Sequence, residues 1–363
     1  MRVALIHYWL VTWRGGEQVL RAIADLFPGA DLFTHVADPE LVREKFPGHA
    51  LRTTFINRLP AARRWYQRYI GLMPLALEQL DLRGYELVIS SEAGPAKGVI
   101  TDPDAVHLCY CHSPMRYAWD MYHSYLEGTS WLTRAAMVPT IHYLRLWDQA
   151  SAARVDRFAA NSAFVARRIR RIYRRDAEVI HPPVRAGDFG FSTAPGEFFL
   201  SVGQLAPYKR IDLLVEAFNR SGERLVVIGE GALLEPLRRI AKPNVQLLGR
   251  QPFAVIREHY IRCRALVFPA IEDFGLVPLE AMASGRPVIA YARGGALETV
   301  VDGRTGILFA EQSIEGLSAA LLRFSAIEHS FDPELIRAHA RQFSPQRFAE
   351  QFGDFTRRAL AER

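Results

Sequence analysis

The feature that most constrains this chain is a rhythm: short apolar runs alternate with longer stretches of helical periodicity along nearly its whole length. Apolar runs bounded by turn formers read as strands buried on both faces, and such strands belong to parallel sheets covered by helices. In the first half the runs are 2–8, 30–35, 87–90, 106–110 and 157–160, with helical patterns near 17–26, 62–80 and 131–151. The sequence Val179-Ile180-His181-Pro182-Pro183-Val184 then ends a strand in two prolines, and 187–196 is rich in turn formers and reads as a linker. Beyond it the rhythm resumes with strands at 198–202, 225–228, 245–247, 265–268, 287–290 and 306–308, and the end of the chain is helical. A length of 363 residues suits two domains of this kind. The expectation is an α/β protein of two facing Rossmann-like domains with a cleft between them. They would span 1–184 and 185–341, and a terminal helix in 342–363 would pack back on the first. Open parallel sheets take ligands at the carboxyl ends of their strands, so binding loops are sought there.

Composition narrows the class. Hydrophobic residues at 49% and charged residues at 23% exclude a disordered or fibrous chain. No run of eighteen apolar residues exists to span a bilayer. The stretch 3–10 mimics a secretory core, but His7 interrupts it and Gly15-Gly16 follow, so it reads as a buried strand. Three cysteines are too few for a disulfide framework and point to a reducing, cytoplasmic setting.

The net charge of +6 invites an anionic partner. Residues 1–184 hold +5 of it, and Arg167, Arg168, Arg170, Arg171, Arg174 and Arg175 account for that excess. Their apolar neighbours Phe164, Val165, Ile169 and Ile172 would face a sheet. The run then reads as a solvated helix face or as a peripheral contact with anionic lipid on the inner face of a membrane. Arg63-Arg64-Trp65-Tyr66-Gln67-Arg68 followed by Leu72-Met73-Pro74-Leu75 fits either a membrane interface or an acceptor wall. Nucleic acid is disfavoured, because no recognised binding module accompanies these charges.

The most informative stretch runs from Phe268 to Ile289. A strand ends at Phe268, a loop carries Glu272, and a helix begins near Val277 with Pro278 in its first turn and Glu280 close behind. Free amides at such a helix start favour an anion, and carboxylates beside it can accept hydrogen bonds from sugar hydroxyls. Read alone, Glu280 could equally complement the helix dipole and Glu272 be a solvated loop residue. The stretch resembles the E-x7-E motif of the retaining family 4 glycosyltransferases of GT-B fold. Ser284-Gly285-Arg286-Pro287-Val288, Gly294-Gly295-Ala-Leu-Glu298 and Asp302-Gly303-Arg304-Thr305-Gly306 continue the likeness in order and spacing. Upstream, Ser201-Val-Gly203-Gln204-Leu-Ala-Pro-Tyr-Lys209-Arg210 is similar to the family's diphosphate element. Gly15-Gly16, the stretch 111–120 and Asn161-Ser162 extend it over the chain, with bacterial mannosyltransferases of polysaccharide assembly the most similar group.

That resemblance implies a hexosyltransferase that uses a nucleotide-sugar, GDP-mannose by overall likeness, and needs no metal. It implies catalytic roles for His112, Lys209 and Glu272. Donor contacts would come from Gly15, Gly16, Gly203, Gln204, Lys209, Arg210, Gly229, Arg250, Glu272, Asp273, Phe274, Gly275, Leu276 and Glu280. A glycan or lipid-linked oligosaccharide would be the acceptor. Two departures stand out: Gln204 occupies a position where members usually carry an arginine, and Pro252-Phe253 stand where some guanine-binding relatives carry an aspartate. Base and sugar are therefore left open by the residues themselves. Cys109, Cys111 and His112 lack the second ligand pair of a zinc site, and Asp102-Pro103-Asp104 suits a turn. Gly229-Glu230-Gly231 lacks the third glycine of a dinucleotide fingerprint, since Leu234 stands there. A nucleotide-sugar epimerase of the same fold and a noncatalytic membrane scaffold are the rival readings.

Overall fold

The computed structural model describes every residue except Gly128, Pro195 and Arg363. It divides into two compact units, Met1–His181 with Phe348–Arg363 and Pro182–Arg347. The sequence-based boundaries at 184/185 and 341/342 thus lie a few residues from the structural ones.

The first unit is built on seven parallel strands: β1 Val3–His7, β2 Asp31–Thr34, β3 Leu51–Thr53, β4 Leu87–Glu92, β5 Val106–Cys111, β6 Arg157–Ala160 and β7 Ala177–Val179. Their spatial order is β3-β2-β1-β4-β5-β6-β7. Every residue of β1, β4 and β5 is buried, because helices cover both faces of the sheet. Alternate side chains take opposite faces. Leu5, Ile89, Leu108 and Tyr110 pack with Val19 and Ile23 of the Gly15–Leu26 helix and with Phe348, Phe352 and Phe355 of the Pro345–Ala361 helix. Each such phenylalanine contributes about 1.5–3 kcal/mol by leaving water. Ile6, Phe33 and Val88 meet Leu77, Met115, Ile141 and Trp147 on the other face.

Three expectations change here. The helical pattern at 62–80 is broken into Ala62–Trp65, a 3-10 stretch at Tyr66–Leu72 and a new helix at Met73–Glu78. Pro74 suits a helix start and not a helix interior, and Gly71 lets the chain approach Thr140 closely. The helix expected from residue 17 begins at Gly15, so Gly15 and Gly16 form its first turn. It is fixed there by the Glu17 carboxylate, which accepts the Arg14 amide at 2.9 Å. The arginine run is not one solvated face: Arg168 is buried and donates to Ser113 Oγ at 2.6 Å and to Asp120 Oδ1. Helix Ala163–Tyr173 ends before Arg174, whose φ of 56° is left-handed.

The second unit repeats the plan with six parallel strands: β8 Phe198–Val202, β9 Leu225–Ile228, β10 Val245–Gly249, β11 Cys263–Phe268, β12 Val288–Tyr291 and β13 Gly306–Phe309. They lie in the order β10-β9-β8-β11-β12-β13. Residues 187–196, expected as a linker, include packed segments of this unit. Arg286 Nη1 donates to the Ala194 carbonyl at 2.8 Å, and Phe191 lies against Gly285. In both sheets the strand order reverses beside the first strand, at β1/β4 and at β8/β11. Such a switch point is where loops diverge and leave room for a ligand. Among the described residues no helix is long and apolar enough to cross a membrane.

Candidate functional site

In the second unit the loops after β8 and β11 flank the switch point; the first carries Lys209 and Arg210, the second Glu272 and Asp273. The chain leaves β8 through Gly203, Gln204 and Leu205, makes a 3-10 turn at Pro207–Lys209, and enters the Ile211–Ser221 helix from Arg210. Backbone bonds lace this loop to the next strand end: the Gly203 amide donates to Ile228 O at 3.0 Å and Leu205 to Glu230 O at 2.8 Å. Gly229 must be glycine, because a Cβ there would lie 1.7 Å from the Gly203 carbonyl oxygen. The Gly229 amide in turn donates to Gly249 O at 2.9 Å.

Lys209 Nζ forms an ion pair with Glu272 Oε1 across this switch point. Their side chains retain 18% and 19% exposure, enough for a solute to reach them. Glu272 is held by its backbone, whose carbonyl accepts the Gly295 amide at 2.9 Å beside a bridge to Gly294. Asp273 is half-buried, while Phe274 is buried with its ring 5.8 Å from that of Phe343. Gly275, at φ 91°, turns the chain into the Leu276–Ala283 helix. Pro278 has no amide hydrogen, so the helix presents the amides of Leu276 and Val277 at its amino end. Glu280 is the fifth residue of this helix, one position further in than a start at Val277 gives. Tyr260 donates to its Oε2 at 2.8 Å, and burial raises its pKa against that hydrogen bond. Among the described residues Glu280 Oε1 has no hydrogen-bond partner.

Three expected residues stand apart from the Lys209–Glu272 pair. The Arg210 guanidinium turns to Asp212 and Gln312, each at 3.3 Å. Its φ of 54° sets it just before the Ile211–Ser221 helix. Gln204 is exposed, and Arg250 is largely exposed with Glu230 at 3.6 Å.

The first unit has its own switch-point cluster. His112 follows β5; its amide donates to Glu92 O at 2.8 Å and its carbonyl accepts from Asn161 Nδ2 at 2.9 Å. The ring Nε2 lies 2.9 Å from Ser91 Oγ, and burial pulls the imidazole pKa down to about 4. It is therefore neutral at pH 7. A Cβ on Gly16 would sit 2.5 Å from Tyr8 Oη and 3.9 Å from His112 Nε2, so the first helical turn approaches both closely. Gly15 precedes it in the same turn.

Beneath His112 lies a charge network that sequence reasoning missed. Lys97, with no exposed surface, pairs with Glu92 at 3.3 Å and with Asp148. Asp148 also accepts from Trp119 Nε1 at 2.7 Å and from Tyr173 Oη at 3.0 Å. Burial pushes the Glu92 carboxyl up to about 7, opposed by Lys97. Ser90-Ser91-Glu92 at the end of an otherwise apolar strand was the available signal. His7, also buried, has no hydrogen-bond partner on either ring nitrogen among the described residues. No group of three or more His, Cys, Asp or Glu among those residues is placed to hold a metal ion.

Comparison with known proteins bears on the second unit first. Residues 191–341 match the family described as Glycosyl transferases group 1. An uncharacterised glycosyltransferase of Methanocaldococcus jannaschii is 33% identical over 141 residues, 38% of each chain. Glycogen synthase of Thermus thermophilus is 34% identical over 168 residues, 44% of this chain and 38% of the relative. A GDP-mannose-dependent alpha-(1-6)-phosphatidylinositol monomannoside mannosyltransferase of Mycolicibacterium smegmatis is 30% identical over 151 residues, 37% of this chain and 39% of the relative. The matches thus span about two fifths of these relatives' lengths. Among solved structures, Anabaena HepE with UDP and glucose superposes with a TM-score of 0.72 at 15% identity, covering 98% of this chain and 99% of that one. Sucrose-phosphate synthase of Thermosynechococcus elongatus gives 0.72 at 20%, covering all of both chains. At such identity these likenesses establish the fold, the two Rossmann-like domains of the GT-B class.

Proposed function

We propose that the protein is a retaining glycosyltransferase that moves a hexose from a nucleotide diphosphate sugar to a glycan or lipid-linked acceptor. The observation that carries this is the Lys209–Glu272 pair at the β8/β11 switch point, beside a helix start with free amides and beside Glu280. A diphosphate needs cations and oriented amides, which Lys209 and the 274–276 backbone supply. Sugar and ribose hydroxyls need carboxylate acceptors, which Glu272 and the unpartnered Oε1 of Glu280 supply. Lys209 would exchange Glu272 for phosphate as the donor enters, freeing Glu272 for the sugar.

In the reaction the bond from the anomeric carbon to the departing phosphate oxygen breaks, and an acceptor hydroxyl oxygen bonds to the same face of that carbon. The hydroxyl proton passes to the departing phosphate oxygen, so no protein nucleophile is required. His112, in the first unit, is neutral and hydrogen-bonded to Ser91, so it offers a hydrogen-bonding ring and not a charge. We read mannose and GDP as the favoured donor on the sequence resemblance and the mycobacterial relative, with no metal ion in the chemistry. The test is release of nucleoside diphosphate and transfer of label from GDP-, UDP- and ADP-sugars. Glu272→Ala should abolish transfer with the fold intact. Full activity in that variant would refute the site. Acceptor-independent interconversion of the free donor would favour an epimerase instead.

A further inference from the structure

A helix lying on a protein core presents polar side chains outward. On the Trp131–Ser151 helix large apolar side chains share that outer face with polar ones. Its inward face buries Ile141, Leu144, Trp147 and Asp148. Opposite them Trp131 is 75% and Leu132 62% exposed, and Val138, Tyr143 and Leu146 are exposed as well. At 100° per residue these five side chains fall within about 140° of the outer surface. None of the first ten residues of the helix is buried. Near its midpoint Thr140 rests on Gly71, whose added Cβ would lie 3.2 Å from the threonine methyl. The helix thereby adjoins the broken 62–78 segment, which exposes Trp65, Leu72 and Leu75.

The charge of these two segments is positive, with the exposed Glu127 and the part-exposed Asp38 at their borders. Residues 54–77 and 128–147 contain six arginines and no aspartate or glutamate. Arg58, Arg63, Arg64, Arg68 and Arg134 are exposed. Arg63 approaches Asp38 at 4.0 Å, while Arg68 lies over the Trp65 ring at 5.0 Å. Arg58, Arg64 and Arg134 pair with no carboxylate among the described residues.

We propose that this face docks on an anionic lipid bilayer, with Trp131, Leu132, Val138, Leu72 and Leu75 entering the headgroup–acyl boundary and the arginines binding phosphate headgroups. Charge complementarity selects this occupant. A convex ridge of tryptophan, tyrosine and leucine flanked by arginines suits an interface that is apolar below and anionic above. The helix lies on the bilayer and does not cross it, since it carries Arg134, Arg145 and Asp148. The proposal is independent of the transferase reading. It also differs from the arginine run at 167–175, whose Arg168 is buried.

The test is co-sedimentation of the full chain with phosphatidylcholine vesicles, with and without phosphatidylglycerol. Binding should require the anionic lipid and weaken with salt. Arg64→Ser, Arg68→Ser and Arg134→Ser together should lower affinity roughly a hundredfold. Trp131→Ser with Leu132→Ser should abolish binding while circular dichroism and melting stay unchanged, because both side chains are exposed. Absence of binding to anionic vesicles, or binding that neither variant weakens, overturns the proposal. A dimer dissolved by the Trp131 and Leu132 changes, without vesicle binding, also overturns it and assigns the face to a second copy.

Discussion

Replacing Asp148 by alanine tests the physical account of the first unit most sharply. The change removes the acceptor for Lys97, for Trp119 Nε1 at 2.7 Å and for the Tyr173 hydroxyl at 3.0 Å. Lys97 keeps a single ionic partner, Glu92 at 3.3 Å, in a place with no exposed surface for either side chain. Breaking a buried pair by removing one member costs about 3–5 kcal/mol, because the remaining charge is left without compensation. For a unit of this size each kcal/mol lowers the midpoint by about 2–4 °C, so a fall on the order of 12 °C is expected. The partner variant is Lys97→Met with Asp148→Leu. Glu92 then stands alone with its carboxyl already near 7, takes up a proton, and keeps its bonds from the Ala96 and Lys97 amides at 2.8 and 2.7 Å. That double change should cost less than Asp148→Ala alone. Urea denaturation followed by circular dichroism measures both. A loss below about 1 kcal/mol for Asp148→Ala, the value of a surface pair, would refute the reasoning.

Other outcomes follow from the same geometry. Gly229→Ala places a methyl against the Gly203 carbonyl and must displace the loop that carries Lys209. We expect a stability loss of about 1–3 kcal/mol and donor affinity lowered tenfold or more, measured by melting and calorimetry; wild-type affinity would contradict the lacing of these strand ends. His35 and His107 are buried with pKa values lowered to about 4 by burial. The unfolded chain binds protons on these rings below about 6.5, so stability is full above that pH and falls as pH drops toward 4. Each ring accounts for at most about 3 kcal/mol of that loss, and a flat stability between pH 6.5 and 4 would count against it. NMR titration should show the His112 ring neutral down to about pH 4. A midpoint near 6.5 would place the ring in water and not against Ser91.

The strands were legible because burial on both faces writes an uninterrupted apolar run, as in β1, β8 and β11. The edge strand β3 was not, since its three residues Leu51–Thr53 are half-exposed and lack that run. The break at residues 66–72 was missed because the apolar spacing continues through it, while Pro74 and the contact of Gly71 with Thr140 decide the backbone. Lys209 and Glu272 were each visible in a motif. Their meeting across 63 residues follows from β8 lying beside β11, and sheet order is a property of packing. Arg168 was hidden within a run of like charges, although it sits between Val165 and Ile169 on the buried face of its helix. Of the buried network only Ser90-Ser91-Glu92, polar residues closing an apolar strand, left a local trace; Lys97 and Asp148 left none, since only the fold brings them to Glu92.

The central claim is that the second unit holds a nucleoside diphosphate through Lys209. Isothermal calorimetry of GDP, UDP and ADP with the full chain tests it directly, alongside Lys209→Ala. One of the three should bind, and loss of a charge-assisted contact worth about 1.5–3 kcal/mol should weaken it roughly ten- to a hundredfold. Failure of all three to bind, or equal binding by Lys209→Ala, would contradict the account.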